Sequence, residues 1–400
     1  MSSSEAPRSN WLVPMAGLFV AAFAVGTAEL LVGGLLPAVA TDLAVDIPTA
    51  GWLIAAYALG VAIGGPLLGL ATGRLSRRFV LLAMLAAFVV GNVLCAVAPN
   101  FWTLLAARVF VAATQGLVFG AANVIATRIA PSNRQSTAIS LIVTGFTAAS
   151  LAGLPLGTFV GNAFGWRISF WAIAALGVGS LALIAILIPA REGEAESAPD
   201  LRSELGAIIR PTVLLAFAVM AIFLTADFAV YAYIVPMLTE VTGIATAEIP
   251  WLLFIAGIAG FFGNLAGGRL GDWKPNLTIV VIFVLLTGIY ALLIPAMHNA
   301  TTMIGVCVLW WFVGFGFPAP MQARILKDAA DAPNLVSTLL SSAFNIGIAA
   351  GAALGSVVLS AGWGYERLPW LSVSFGALAL IGTLVLVGLD RRMRVVQSPA

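Results

Sequence analysis

Twelve apolar stretches, each about 20 residues or longer, recur from one end of this 400-residue chain to the other. At 1.5 Å per residue a helix of that length crosses a hydrocarbon layer of roughly 30 Å. Apolar residues make up 61% of the chain and charged residues only 9%, too few to coat a water-facing globule, so the solvent for most of the surface is lipid. Lipid offers no partner to an unpaired backbone group, and the short alternating signals of barrel strands are absent, so the stretches are read as helices. The expected spans are residues 11 to 39, 49 to 71, 79 to 98, 101 to 127, 136 to 161 and 169 to 189, then 211 to 238, 249 to 267, 277 to 297, 301 to 323, 337 to 360 and 370 to 389. The first span follows Arg8 and ends in small residues, as a secretory signal does, but it is too long, carries Glu29 and is followed by eleven more.

Basic residues give the expected sidedness. With the N-terminus inside, the inner loops and tails collect Arg8, Arg74, Arg77, Arg78, Arg128, Arg134, Arg191, Arg202, Arg210, Arg269, Lys274, Arg324, Lys327, Arg391, Arg392 and Arg394. Of the 19 basic residues, only Arg167 and Arg367 fall in outer loops and only Arg108 in a span, so both termini are expected in the cytoplasm. Charges that follow loop sidedness argue against a nucleic-acid partner.

The chain also repeats. A shift of 199 residues superposes Pro37 on Pro236, Trp52 on Trp251, Gly64 on Gly263 and Gly69 on Gly268. Ser136-Thr137 recurs as Ser337-Thr338 at a slightly different offset, and Gly153 and Gly157 recur as Gly351 and Gly355. The expected organisation is an all-α membrane protein of two pseudo-symmetric six-helix bundles, residues 1–190 and 211–400, joined by a charged tether over 191–210. Such repeats permit two halves to rock around a central cavity.

Glu29, Arg108 and Asp227 lie inside spans, where an ionised group costs about 2.5 to 3.5 kcal/mol on insertion scales. Each is expected to face a partner or a wet cavity, and a carboxyl held there can couple proton movement to the movement of another molecule. A static Glu29–Arg108 pair is the plainer alternative, and it is compatible with a switch in which a proton or a cationic substrate competes for the carboxylate. Asp227 aligns one position from the symmetry mate of Glu29, which is Phe228.

Further candidates are polar or small. Gly69 to Arg78, containing Arg74 and Arg77, forms a basic turn whose counterpart runs from Gly268 to Lys274 and contains Asp272. Its glycines permit a tight turn, and a carboxylate there can meet the N-terminal end of a helix from the opposite half as a cytoplasmic latch. Gly145, Ala148, Ala149, Gly153, Pro155 and Gly157 make a stripe of small residues with a proline kink in the fifth span. Tyr57, Gln115, Asn123, Tyr231, Tyr233, Trp310, Gln322 and Asn345 are candidates to line a cavity, each also explicable by packing.

Cys95 and Cys307 are the only cysteines, both within spans, and His298 is the sole histidine, so neither a disulfide framework nor a metal cluster is expected. An integral-membrane enzyme would need a clustered His, Cys or carboxylate constellation, and an ATP-driven pump a Gly-x-x-x-x-Gly-Lys-Ser/Thr loop; the sequence contains neither.

Several motifs together resemble the major facilitator superfamily, in particular its twelve-helix drug:proton antiporter branch. Gly26-Thr27-Ala28-Glu29 with Gly34-Leu35-Leu36-Pro37 resembles the first-helix pattern of the chloramphenicol-exporter and arabinose-efflux-permease-like group. Gly69 to Arg78 is similar to that branch's loop signature, Arg108 with Gly116 to its fourth-helix motif, Gly153-Leu154-Pro155-Leu156-Gly157 to its fifth-helix antiporter motif, and Gly165-Trp166-Arg167 with Phe170 completes the pattern. Gly73 stands where the loop signature carries an acid, which the second half keeps as Asp272. The resemblance implies a monomeric exporter in the bacterial inner membrane that uses no cofactor, draws on the proton gradient and moves a small amphipathic compound by alternating access. It equally accommodates efflux of a sugar, nucleoside or other metabolite.

Overall fold

The computed structural model describes residues 11–72, 75–131, 134–188, 206, 209–329 and 331–397, and among them there is no strand. Twelve helices are long and apolar enough to cross a membrane: α1 (Leu12–Asp42), α2 (Ile47–Thr72), α3 (Arg77–Ala96), α4 (Phe101–Ile129), α5 (Thr137–Phe164), α6 (Trp166–Leu187), α7 (Pro211–Val241), α8 (Thr246–Trp273), α9 (Pro275–Ala296), α10 (Ala300–Asp328), α11 (Leu339–Ser360) and α12 (Tyr365–Asp390). The expected order of spans is reproduced, with ends displaced by a few residues. Most of the 191–210 tether lies outside the described residues.

Local chemistry sets the helix ends. Asn100 caps α4 by accepting from the Thr103 amide at 3.0 Å, and Asn299 caps α10 by accepting from the Thr302 amide at 3.1 Å. These two Asn-x-x-Thr caps stand 199 residues apart. In α5 a π-helical turn spans Ala149–Gly153, with Leu154 between it and Pro155. Proline at 155 supplies no N–H to the Leu151 carbonyl and its ring crowds that carbonyl, so a widened turn replaces the simple kink expected from sequence.

Packing repeats along with the sequence. In one half α2 packs on α4, α3 on α4 and α6, and α1 on α5 and α6; in the other α8 packs on α10, α9 on α10 and α12, and α7 on α11 and α12. A Cβ at Gly64 would fall 2.6 Å from Cα of Ala113 in α4, and one at Gly263 would strike the backbone of Phe312 in α10. Ala113 and Phe312 are themselves 199 residues apart, so one helix crossing is built twice around one missing side chain. Two seams join the halves. Along α2 and α11, Ser356 Oγ donates to the Pro48 carbonyl at 2.7 Å and Ser342 Oγ to the Ala62 carbonyl at 2.9 Å. Along α5 and α8, Gly257 sits against Cα of Leu151.

Polar side chains tie the loops. On the face opposite the termini, Arg167 pairs with Asp42 and donates to the Ala98 carbonyl at 3.0 Å, while Trp166 Nε1 donates to Asp42 at 3.1 Å. On the other face Arg324 is buried among Asn276, Asp390 at 3.0 Å and Asp328 at 3.5 Å, joining the ends of α9, α10 and α12. Arg210 bridges to Asp331, and that hydrogen bond holds the exposed Asp331 carboxyl below its usual range. Its small contribution is present above the ordinary carboxylate value and is lost as pH falls through the lowered one.

Candidate functional site

The first half builds its polar centre on α1. Close approach of α5 pins that helix: Gly26 faces Phe146 and Ala149, whose atoms would lie 2.8 and 2.9 Å from a Cβ, and Gly153 faces Thr27. Three residues beyond Gly26, the partly accessible Glu29 accepts a hydrogen bond on Oε2 from Gln115 Nε2 at 2.7 Å. Gln115 Oε1 in turn accepts from the Tyr57 hydroxyl at 2.7 Å. Arg108, two turns before Gln115 on the same face of α4, is fully buried and carries its guanidinium carbon 3.9 Å above the Tyr57 ring.

The static Glu29–Arg108 pair, the plainer alternative, is not what the two side chains form. Arg108 Nη1 donates to the Ala28 carbonyl at 2.6 Å and Nη2 reaches the Glu29 backbone carbonyl at 3.5 Å, while the carboxylate is held by the neutral amide of Gln115. The guanidinium points at the backbone because its other flank is taken by the Tyr57 ring. Its Nε has no hydrogen-bond partner. The carboxylate can therefore change its charge without breaking a salt bridge.

A narrow cleft of about 20 Å³, little more than room for a water molecule, lies beside Glu29, lined by Glu29, Leu30, Gly33, Ile54, Tyr57, Ala58, Phe228, Tyr231 and Ile348. These residues come from α1, α2, α7 and α11, so the cleft lies between the halves, where ligands of such bundles bind. Tyr57 and Tyr231 line it as expected, and Gln115 supports it from behind.

In the second half Asp227 Oδ1 accepts from the Tyr290 hydroxyl at 2.8 Å and from Trp310 Nε1 at 2.7 Å. Trp310 also meets the edge of Tyr231, with ring centroids 6.3 Å apart, and so backs the wall of the cleft without lining it. Sequence reasoning passed over Tyr290; a phenol in the middle of an otherwise apolar span was the available signal.

Other expected cavity residues lie elsewhere. Tyr233 is buried and donates to the Ala352 carbonyl at 2.7 Å while filling the space at Gly51 and Gly355, so it belongs to the α2–α7–α11 seam. The amide of Asn345 bonds to the Ser341 carbonyl of its own helix, Asn123 is half-buried on α4 outside the cleft lining, and Gln322 is exposed. Of the gating candidates, Arg74 lies outside the described residues. Arg78 caps the end of α6 through the Ile188 and Ala185 carbonyls at 2.7 and 2.8 Å, and Arg77 is half-buried. Gly69 has open space where a side chain would be, whereas Gly157 packs against Leu31. Asp272 is exposed and makes no hydrogen bond or ion pair with any of the described residues.

A bundle of twelve apolar helices with a mostly apolar cleft at the junction of its halves, bordered by one carboxylate, is the architecture of a multi-pass membrane protein. The sequence pattern of the Major Facilitator Superfamily matches residues 18–339, and the chain belongs to that family. It is 37% identical over 369 residues to the inner membrane transport protein YdhP of Escherichia coli (strain K12), covering 92% of this chain and 94% of that protein. The chloramphenicol resistance protein of Streptomyces lividans is 30% identical over 92% of this chain and 95% of its own length. Among solved structures, a bacterial homolog of the human lysosomal transporter Spinster, inward-facing and occupied, superposes with a TM-score of 0.70 at 17% identity over 93% of this chain and 96% of that one, a likeness of fold. The chain is thus a transporter of the inner membrane, not an enzyme.

Proposed function

We propose that this transporter is a proton-driven exporter of small amphipathic compounds, in which Glu29 exchanges its proton for the substrate. The observation that carries this reading is the position of the Glu29 carboxylate: it borders the cleft between the halves and is held by a neutral amide. Arg108, anchored to the backbone one residue away, places a fixed positive charge beside the carboxylate. The remaining lining is apolar or phenolic, which suits a compound with a hydrophobic body and few polar groups. The likeness to a chloramphenicol resistance protein supports the same substrate class. Both termini are assigned to the cytoplasm by the basic loops, and the α5 turn at Gly153 and Pro155 is assigned the bending that opens and closes the cleft.

Proteoliposomes carrying an imposed pH gradient test this, with radiolabelled chloramphenicol and arabinose as separate probes. Wild type is expected to accumulate chloramphenicol in response to the gradient. Glu29→Gln is expected to fall to the level of protein-free vesicles under the gradient while keeping gradient-independent counterflow. Unchanged coupling in Glu29→Gln discards the role given to this residue, and gradient-driven movement of arabinose alone replaces the substrate class.

A further inference from the structure

We propose that Asp227 is a second proton-binding site, held in the other half of the molecule and titrating separately from Glu29; this rests on the proton-driven reading of Glu29 and extends it. The first ground is isolation. In α8 the titratable groups between the membrane ends are none; in α9 there is only Tyr290, in α11 none, and in α12 none between Leu368 and Leu389. In α10 there is Cys307 in the first segment, and Arg324, Lys327 and Asp328 stand at the far end, where Arg324 is engaged with Asn276 and Asp390. On α7 itself the other titratable groups are Tyr231, Tyr233 and Glu240, and from α1 across the cleft comes Glu29. Among the described residues, the side chains that bond to Asp227 are the neutral Tyr290 and Trp310.

The second ground is geometry. Both donors, the Tyr290 hydroxyl and Trp310 Nε1, converge on Oδ1, and Oδ2 has no hydrogen bond. A proton delivered by water can bind at Oδ2 and leave again with both bonds to Oδ1 intact. The site therefore survives in either state of charge, whereas a salt-bridged carboxylate loses its partner on protonation. Asp227 is also partly accessible rather than sealed.

The third ground is the repeat. Each acid lies on the first helix of its half and receives an N–H from the fourth: Gln115 of α4 for Glu29, Trp310 of α10 for Asp227. Tyr231 lines the cleft with Glu29, and its ring meets Trp310, the donor to Asp227, with centroids 6.3 Å apart. The surroundings of the two acids differ: Glu29 accepts from the Gln115 amide with Arg108 close by, whereas Asp227 accepts from a phenol and an indole. Two acids with unequal surroundings are expected to titrate at different pH values.

Infrared difference spectroscopy on the full chain in lipid bilayers tests this without a substrate, by following the carbonyl stretch of protonated carboxyl groups through a pH titration. Wild type is expected to show two transitions from within the membrane. Asp227→Asn should remove one and leave the other, and Glu29→Gln should do the reverse. Trp310→Phe, which removes one donor, should move the Asp227 transition and leave the Glu29 transition in place; this variant guards against misfolding of Asp227→Asn. Superimposable titrations of wild type and Asp227→Asn, or loss of all signal in Glu29→Gln alone, overturn the proposal. Failure of gradient-driven transport in the proteoliposome assay is a separate result, because it tests Glu29 and does not read Asp227.

Discussion

Arg108→Ala is expected to destabilise the folded protein by about 2 to 5 kcal/mol, measured by equilibrium unfolding in mixed detergent micelles. The side chain is fully buried, and truncation leaves a hole beside Tyr57 and removes the donor at the Ala28 carbonyl. Arg108→Lys recovers little, because one ammonium cannot both cover the ring and reach the carbonyl as a planar guanidinium does. The structure adds a sharper expectation. Its contacts run to backbone carbonyls of α1 and to the Tyr57 ring, so most of the loss should persist in a Glu29→Gln background. A double-mutant cycle decides the matter: loss of most of the penalty in that background would mean that the carboxylate is the true partner.

Gly263→Ala is expected to cost about 1 to 3 kcal/mol, whereas Gly268→Ala, five residues along the same helix, is expected to be neutral or slightly stabilising. The added methyl at 263 would strike the Phe312 carbonyl of α10, and backbone cannot swing aside as a side chain can; at 268 nothing lies within 4 Å. Thermal unfolding of the two variants side by side checks this. Gly64→Ala should behave as Gly263→Ala does, since its methyl meets Ala113 at 2.6 to 2.7 Å in the corresponding crossing. If Gly263→Ala unfolds like wild type, the α8–α10 crossing is looser than described.

Much of the architecture was readable from the chain. Span number and order follow from apolar length, since lipid forces each stretch to satisfy its own backbone. The 199-residue shift pointed to glycines that do the same work in two helix crossings, because close packing acts on the very positions that lack a side chain. What it did not reveal at once was how far the repeat extends: the Asn100 and Asn299 caps obey it too, but polar residues at helix ends are common enough to pass unnoticed.

The charges of the site were its most legible part, and Tyr57 and Tyr231 were legible as lining. An acid or a base inside an apolar span announces itself by cost, so Glu29, Arg108 and Asp227 stood out by residue type alone. Their partners did not. Gln115 as the bridge from Tyr57 to Glu29, the turning of Arg108 onto backbone, the pairing of Asp227 with Tyr290 and Trp310, and the removal of Tyr233 to a helix seam all depend on how helices distant in sequence rotate against one another. A hydropathy pattern sets which segments are buried but constrains rotation about a helix axis weakly when every face is apolar, and here both lipid and core accept the same side chains. Membrane insertion, helix count and the duplicated plan were thus determined by the sequence itself, while the choice of partner for each buried charge was made by tertiary packing, in which hydrogen-bond geometry and close glycine contacts select one rotation of each helix.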